Sequence, residues 1–307
     1  MSDRAEPRTE SASRSDIRFS VIVPTYDRPK HIEACVASLR RLERPAGTLE
    51  IVIVNDGGSA LPAGLSDDVG DGCDVRMVEQ ANAGPAAARN TGARMARGTF
   101  LAFTDDDCRP EPGWLVAFDA ALREHPDALA GGRTLNAIDS PFAEASQLLA
   151  DFVSSYFDGG AGGRFFTSNN IAVARAQFLA AGGFDTSFPF SAGEDRELCD
   201  RWSAQRRPSV RVDGAVIRHE HALTAQRFVR QHFTYGRGGA AFRRKRASTD
   251  RPVAVEPGFY TQSLAHAWRH SPGARGALYV ALTMLAHASY AAGLLWESRR
   301  LQRRPGA

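Results

Sequence analysis

The chain has 307 residues, enough to bury a full core, and its 43% hydrophobic and 24% charged content is that of an ordinary globular protein. A formal net charge of +3 is too small for a nucleic-acid binder, so no nucleic-acid partner is expected, and the positive charge gathers toward the C-terminus. Four cysteines, Cys35, Cys73, Cys108 and Cys199, stand far apart with no CxxC pair, which argues against structural zinc and fits reduced thiols in a cytoplasmic setting.

Residues 1-16 are polar and Ser-rich without the apolar stretch of a signal peptide, so a disordered lead-in is expected. IRFSVIVPTY, Ile17 to Tyr26, reads as a buried strand running into a loop at Pro24. In PKHIEACVASLRRL, Ile32, Cys35, Val36, Leu39 and Leu42 recur at helical spacing, and Pro29 suits a first turn. LEIVIVNDGGS is a second buried strand ending at Asp56 and a Gly pair, and VRMVEQ is a short third strand. GPAAARNTGARMARG is an Ala-rich helix opened by Gly84-Pro85, TFLAFT a fourth strand, and PGWLVAFDAALREHP a returning helix.

Strands alternating with helices predict a mostly parallel sheet covered on both faces, in which ligands bind beyond the carboxyl ends of the strands. Asp27, Asp56 and the run Asp105, Asp106, Asp107 all fall at such ends. Helix caps account for Asp27 or Asp56 alone, but not for three adjacent carboxylates, which repel unless something positive sits among them. A solvated loop is the bland reading and a bound metal cation the sharp one. After about residue 127 the alternation weakens: a strand over ALAGGRTL, an amphipathic FAEASQLLADFVSSYF, then SNNIAVARAQFLAAGGFD and a helix start at GEDRELCDRW. The spans 17-127 and 128-245 thus divide into a half that holds a common ligand and a half that shapes the acceptor side.

Taken together, VIVPTYDRP, VNDGGS, NAGPAAARNTG, FTDDDCRPEPGWL, NNIAVARAQFLAAGGFD with GEDRELCDRW, and VIRHEH with YGRG resemble, in order, the motifs of the family-2 glycosyltransferases. The match runs from roughly Phe19 to Arg237. The resemblance implies an α/β GT-A fold over 17-245, with a mostly parallel central sheet flanked by helices. It also implies transfer of a sugar from a nucleotide-sugar donor (UDP-, GDP- or dTDP-linked) to a hydroxyl on a glycan, lipid-linked or small-molecule acceptor, by a single inverting displacement. A divalent cation, Mg or Mn, would be held by Asp107 and Asp105 of the D-x-D, with Asp106 as spacer, and by His219, for which His221 is a rival. Pro24, Thr25, Tyr26 and Asp56 would line base and ribose. Asp27 is either a nucleotide contact or a helix cap, and Arg89 either a partner of phosphate or of the metal site or a surface residue. Asp195 is the expected catalytic base, beside Glu194, where a charge at a helix N-terminus is the bland alternative. Trp114 belongs to the acceptor loop or the core, Asn169 and Asn170 shape the acceptor side, Asn90 is structural, and Gly182-Gly183 either joins the acceptor side or caps a helix. SAQRRPSV departs from the family's pattern in lacking a Gly at that turn.

Residues 246-307 read as a helical C-terminal extension. Gly276 to Trp296 is near the length that spans a bilayer, but it contains His287, Ser289 and many small residues and is flanked by Arg275 and ESRRLQRR. Among a spanning helix, an interfacial helix and a packed soluble helix, peripheral membrane contact at the cytoplasmic face is the favoured expectation. Two other functions compete. A nucleotidyltransferase would carry a phosphate loop that PTYDRP is not, and a non-catalytic nucleotide- or sugar-binding protein would not require the acidic pairs. The absence of GxGxxG after the first strand argues against a Rossmann dehydrogenase.

Overall fold

The computed structural model describes residues 17–45, 47–67, 73–158, 164–188, 191–248 and 258–303, so the expected lead-in lies outside the described residues. Strand β1 (Ile17–Thr25) and strand β2 (Thr48–Asn55) are apolar almost throughout because both of their faces are covered. Helix α1 (Pro29–Arg40) lies between them, followed by β3 (Cys73–Glu79), α2 (Pro85–Met95), β4 (Phe100–Phe103), β5 (Cys108–Pro110) and α3 (Trp114–Glu124). The second half contributes β6 (Leu129–Asn136), α4 (Pro141–Tyr156), β7 (Ile171–Ala174), α5 (Arg175–Ala180), α6 (Glu194–Ala204) and β8 (Ser209–His219). Helices α7 (Ala225–Ala247), α8 (Gly258–His270) and α9 (Ala274–Gln302) complete the described chain.

One sheet orders the strands β3-β2-β1-β4-β7-β6-β8-β5. β1 pairs in parallel with β2 and β4, β2 with β3, and β6 with β8. The antiparallel contacts of β7 with β4 and β6, and of β5 with β8, enter where the sequence alternation weakens. Side chains of period two divide the core by face. Val21, Val23, Ile51 and Ile53 meet α1 and α3 through Ile32, Leu39, Trp114 and Phe118. Ile22, Val52 and Val54 meet α2 and α6, with Phe178, Phe184, Leu198 and Trp202. All four cysteines are free and buried.

The Gly-free turn after α6 still needs a left-handed residue, and Arg206 takes that conformation at φ 56°. Gly182 and Gly183 follow α5 with their N–H groups donating back to Leu179 and Phe178 carbonyls, the arrangement of a helix C-cap.

Helices α8 and α9 do form a helical segment after residue 245, and they fold back onto α4 and α7. Helices α7 and α9 touch backbone to backbone: a Cβ on Gly236 would lie 1.9 Å from the Tyr290 carbonyl oxygen, and one on Gly293 1.9 Å from that of Phe233. The Arg237–Glu297 ion pair, 2.8 Å, locks the same crossing.

Glu50 is fully buried in β2 and accepts from the Ser20 hydroxyl, the Arg97 backbone N–H and Arg97 Nε. Burial works to raise its pKa, but these donors together hold it below the ordinary glutamate value of 4.5. A carboxylate with a depressed folded-state pKa adds stability that is complete above the ordinary value and is lost as pH falls through the folded one. Glu50→Gln should therefore cost about 1–3 kcal/mol at neutral pH. In urea unfolding from pH 7 down to 3, the gap between the two proteins should close at the acid end; a gap that persists there would assign the loss to packing.

Candidate active site

The parallel register of β1, β2 and β4 brings their carboxyl ends to one edge of the sheet, where they open into a cavity of about 1700 Å³. Pro24, Thr25, Tyr26, Asp56, Arg89, Asp105, Asp106, Asp107, Asn169, Glu194, Asp195, His219 and His221 all line it. Thus most of the residues singled out in the sequence share one space, although they come from both halves of the chain.

The three aspartates each meet a cation or a hydroxyl from a different element. Asp105 accepts from Arg89 Nη2 at 2.6 Å. Asp106 accepts from Thr25 Oγ1 at 2.7 Å and from Arg28 Nη1 at 3.1 Å, and the same Arg28 nitrogen donates to Asp107 at 2.9 Å. Asp107 Oδ1 lies 3.3 Å from His219 Nε2. This last contact follows from the antiparallel pairing of Cys108 with His219, reinforced by the Glu220 N–H donating to the Asp107 carbonyl. Burial would raise the Asp107 pKa, but His219 and Arg28 hold it well below the usual carboxylate range. Burial likewise disfavours a charged His219, yet Asp107 outweighs it and lifts the imidazole above its ordinary value. His221, its ring centroid 4.9 Å from that of His219, is instead pushed down to about 4 by burial and by its charged neighbour, and so stays neutral near pH 7.

The ligand atoms of Asp107, Cys108 and His219 lie within 4.8 Å of one another. The donor chemistry tests the expected cation. Carboxylate oxygens beside an imidazole suit a hard divalent ion, with the nitrogen favouring manganese over magnesium. The Cys108 thiol does not join such a set. It is fully buried, burial pushes its pKa far up, and its sulfur accepts from Asn169 Nδ2 at 3.7 Å. Asp107 and His219 fit the cation, with Asp105 on the same loop turned toward Arg89.

Arg89 is buried, and its Nη1 also faces Glu194 Oε1 at 3.6 Å, so one guanidinium ties the end of β4 to the start of α6. Among the described residues its Nε has no hydrogen-bond partner. Gly193, in the left-handed region at φ 101°, turns the chain into α6 so that Glu194 and Asp195 occupy the first helical turn. Burial first, and then the Asp195 carboxylate, push Glu194 up to about 7. Asp195 is also raised, chiefly by burial, but keeps an edge open to the cavity, whereas Glu194 is only 4% exposed.

Other expected residues take structural positions. Asp56 accepts from Gln80 Nε2 and from the N–H groups of Ala83 and Gly84, which pins the loop before α2 to the end of β2. Asp27 accepts from the Ser59 N–H and hydroxyl; the cap position of α1 is Arg28, with no side-chain cap bond. Trp114 is fully buried in the core and donates to Asn170 Oδ1 at 2.8 Å, while Asn170 donates to the carbonyls of Arg133 and Ala215. These two therefore join α3, β6, β7 and β8 and do not face the cavity, so the core reading of Trp114 fits its place. Asn90 clasps the backbone of Phe184 with both ends of its amide. Arg28, which no sequence reading singled out, is the cation that two of the three aspartates share; the need of the acidic run for positive charge was its signal.

The family model for glycosyl transferase family 2 matches residues 20–180. A pre-mycofactocin glycosyltransferase from Mycobacterium tuberculosis is 27% identical over 268 residues, which is 83% of this chain and 53% of the relative. The chain thus spans about half the length of that curated relative. A glucosyl-dolichyl phosphate glucuronosyltransferase from Haloferax volcanii is 29% identical over 182 residues, 56% of this chain and 57% of the relative. Among solved structures, the mannosyltransferase PcManGT from Pyrobaculum calidifontis, in complex with GDP-Man and Mn2+, superposes with a TM-score of 0.57 at 19% identity, covering 98% of this chain and 85% of that one. S. aureus TarS 1-349 in complex with UDP-GlcNAc gives 0.52 at 17% identity, covering 94% and 92%. These likenesses establish the GT-A fold.

If Arg89 couples the two acidic clusters, Arg89→Met and Glu194→Gln should each destabilise by about 1–3 kcal/mol. A double-mutant cycle in urea should return a coupling of about 1 kcal/mol. Strictly additive losses would mean that the 3.6 Å approach carries no interaction.

Proposed function

The chain belongs to glycosyl transferase family 2, and from that premise we propose that it transfers a sugar from a nucleotide-sugar donor to an acceptor hydroxyl, with inversion and with a divalent cation. The observation that carries this reading is a single cavity lined both by the Asp105 to Asp107 run with His219 and by the Glu194-Asp195 pair, which Arg89 links. PcManGT, a neighbour in fold, binds GDP-Man with Mn2+, and TarS binds UDP-GlcNAc.

In this reading Pro24, Thr25 and Tyr26 flank the base and ribose, and Asp56 shapes that pocket by fixing the loop that ends at Gly84. Arg89 presents an unpartnered Nε beside the expected diphosphate. Asp107 and His219 would hold the cation, with Asp105 beside them. When bound there, a divalent cation offsets the charge that develops on the leaving diphosphate. Asp195 takes the acceptor proton as the hydroxyl oxygen attacks the anomeric carbon. Its pKa, raised chiefly by burial, makes it a stronger base than an ordinary aspartate. A single displacement with no enzyme nucleophile inverts the anomeric centre.

Nucleotide release from UDP-, GDP- and dTDP-sugars should occur with manganese or magnesium and stop with chelator. Asp107→Ala should abolish it. Asp195→Asn should lower transfer to the acceptor by about 10²–10⁴ while nucleotide binding by calorimetry persists. Retained configuration in the product would sink the mechanism, and absence of both turnover and binding would favour a non-catalytic protein.

Peripheral membrane contact belongs to the same proposal. Helix α9 is long and apolar enough by composition to cross a membrane, but one of its faces is packed through Leu282, Ala286, Gly293 and Glu297. Its opposite face carries exposed Leu278, Met284, Leu285, Leu295 and Trp296 between Arg275 and Arg299. An apolar stripe with basic ends suits the interface of an anionic leaflet. The protein should co-sediment with phosphatidylglycerol vesicles, and Leu285→Asp should release it; full retention in the supernatant would remove the membrane from the reading.

A further inference from the structure

Beyond Asp195 the cavity continues between α4, α6, α7 and α9, and there it meets two guanidinium groups and a phenol. Arg196, next to Asp195, lines it, as do Arg243 of α7 and Tyr290 of α9. Among the described residues none of these three side chains makes a hydrogen bond or an ion pair, although each is only partly exposed. Two guanidiniums that face one cavity without an ion-pair partner among the described residues leave their N–H groups for an anion that enters it.

We propose that Arg196, Arg243 and the Tyr290 hydroxyl bind an anionic group, a phosphate or a carboxylate, carried by the acceptor. The inference rests on the reading that the Asp195 side of the cavity receives the acceptor.

The site is built rather than incidental. The Arg196 guanidinium sits 3.7 Å from the ring centroid of Phe157, 5.4 Å from Phe165 and 5.8 Å from Phe242, so three rings fix it while its N–H groups remain unspent. Tyr290 reaches the cavity across Gly239, where a Cβ would lie 2.1 Å from the phenol oxygen. Any larger residue at that point of α7 would displace the hydroxyl. Tyr290 feels both arginines, which oppose the effect of burial on its phenol.

The nearby acids do not close the site. Asp200 lies 3.5 Å from Arg246. The Asp195 carboxylate accepts from the Arg196 backbone N–H and not from its guanidinium. All three residues also fall outside the 20–180 span of the family model, so they belong to this chain's later half and not to the shared donor half. Two guanidiniums and a hydroxyl match the oxygens of a phosphate monoester or a carboxylate, and either could be attached to the molecule whose hydroxyl meets Asp195.

The test is calorimetric titration of phenyl phosphate and of benzoate into the full chain, with manganese and whichever of UDP, GDP or dTDP binds held at saturation to fill the donor site. At least one probe should bind, and the tighter one names the anion class. Arg196→Gln and Arg243→Gln should each weaken it tenfold or more and Tyr290→Phe about threefold, with melting temperatures close to the parent. Arg243→Gln keeps the test valid should Arg196→Gln fail to fold. Nucleotide binding with no response to either probe, or probe affinity equal in parent and Arg243→Gln, overturns the anion site and leaves the donor reading standing. Probe binding that is lost in the variants, in a chain that binds no nucleotide, upholds the anion site and removes the donor reading.

Discussion

The electrostatic load at the end of β4 shapes everything around it. Three consecutive carboxylates, two of them buried, cannot remain ionised side by side unless positive charge is brought to them. The chain recruits that charge from three remote places: Arg28 from the loop after β1, Arg89 from α2 and His219 from the last strand. Each of these contacts also fixes geometry. Arg89 reaches across to Glu194 and so sets the distance between the end of β4 and the start of α6, while the Asp107–His219 contact pulls β8 against β5. Local charge balance and long-range architecture are the same set of interactions here.

This arrangement explains why the two halves of the chain use different strand pairings. The parallel β3-β2-β1-β4 block delivers loop ends to one edge, as βαβ crossovers must. Antiparallel β7 starts at that edge, with Ile171 opposite Phe103, which sets Asn169 and Asn170 beside it, and β8, parallel to β6, ends there with His219 opposite Cys108. The result is a cavity in which chemistry from residues as far apart as Thr25 and His221 shares one space.

The C-terminal helices alter the character of that cavity. They form its far wall, and their glycine-lined crossing with α7 brings Tyr290 and His287 to its lining. One face of α9 therefore completes an interior surface while the other remains apolar and exposed. The span of the family model, residues 20–180, ends before α7, α8 and α9, which build the far wall.

Much of the fold was legible in the sequence, because buried parallel strands and Ala-rich or amphipathic helices leave period-two and period-3.6 patterns that do not depend on distant partners. The acidic run, the Glu-Asp pair and the late histidines could be read as members of one site from motif order. The sequence could not show that Asp56 turns its carboxylate to its own loop, that Trp114 and Asn170 bond each other inside the core, or that Arg28 is shared by two aspartates. Those outcomes depend on which side chains meet across tens of residues, and a side chain's burial and partners are properties of packing, not of its neighbours in the chain. The strands, the helices and the chemistry at their ends were thus determined by the sequence alone. Tertiary structure decided which of those groups face the cavity and which are spent holding it open, because each carboxylate and amide has few bonding positions and the fold chooses what fills them.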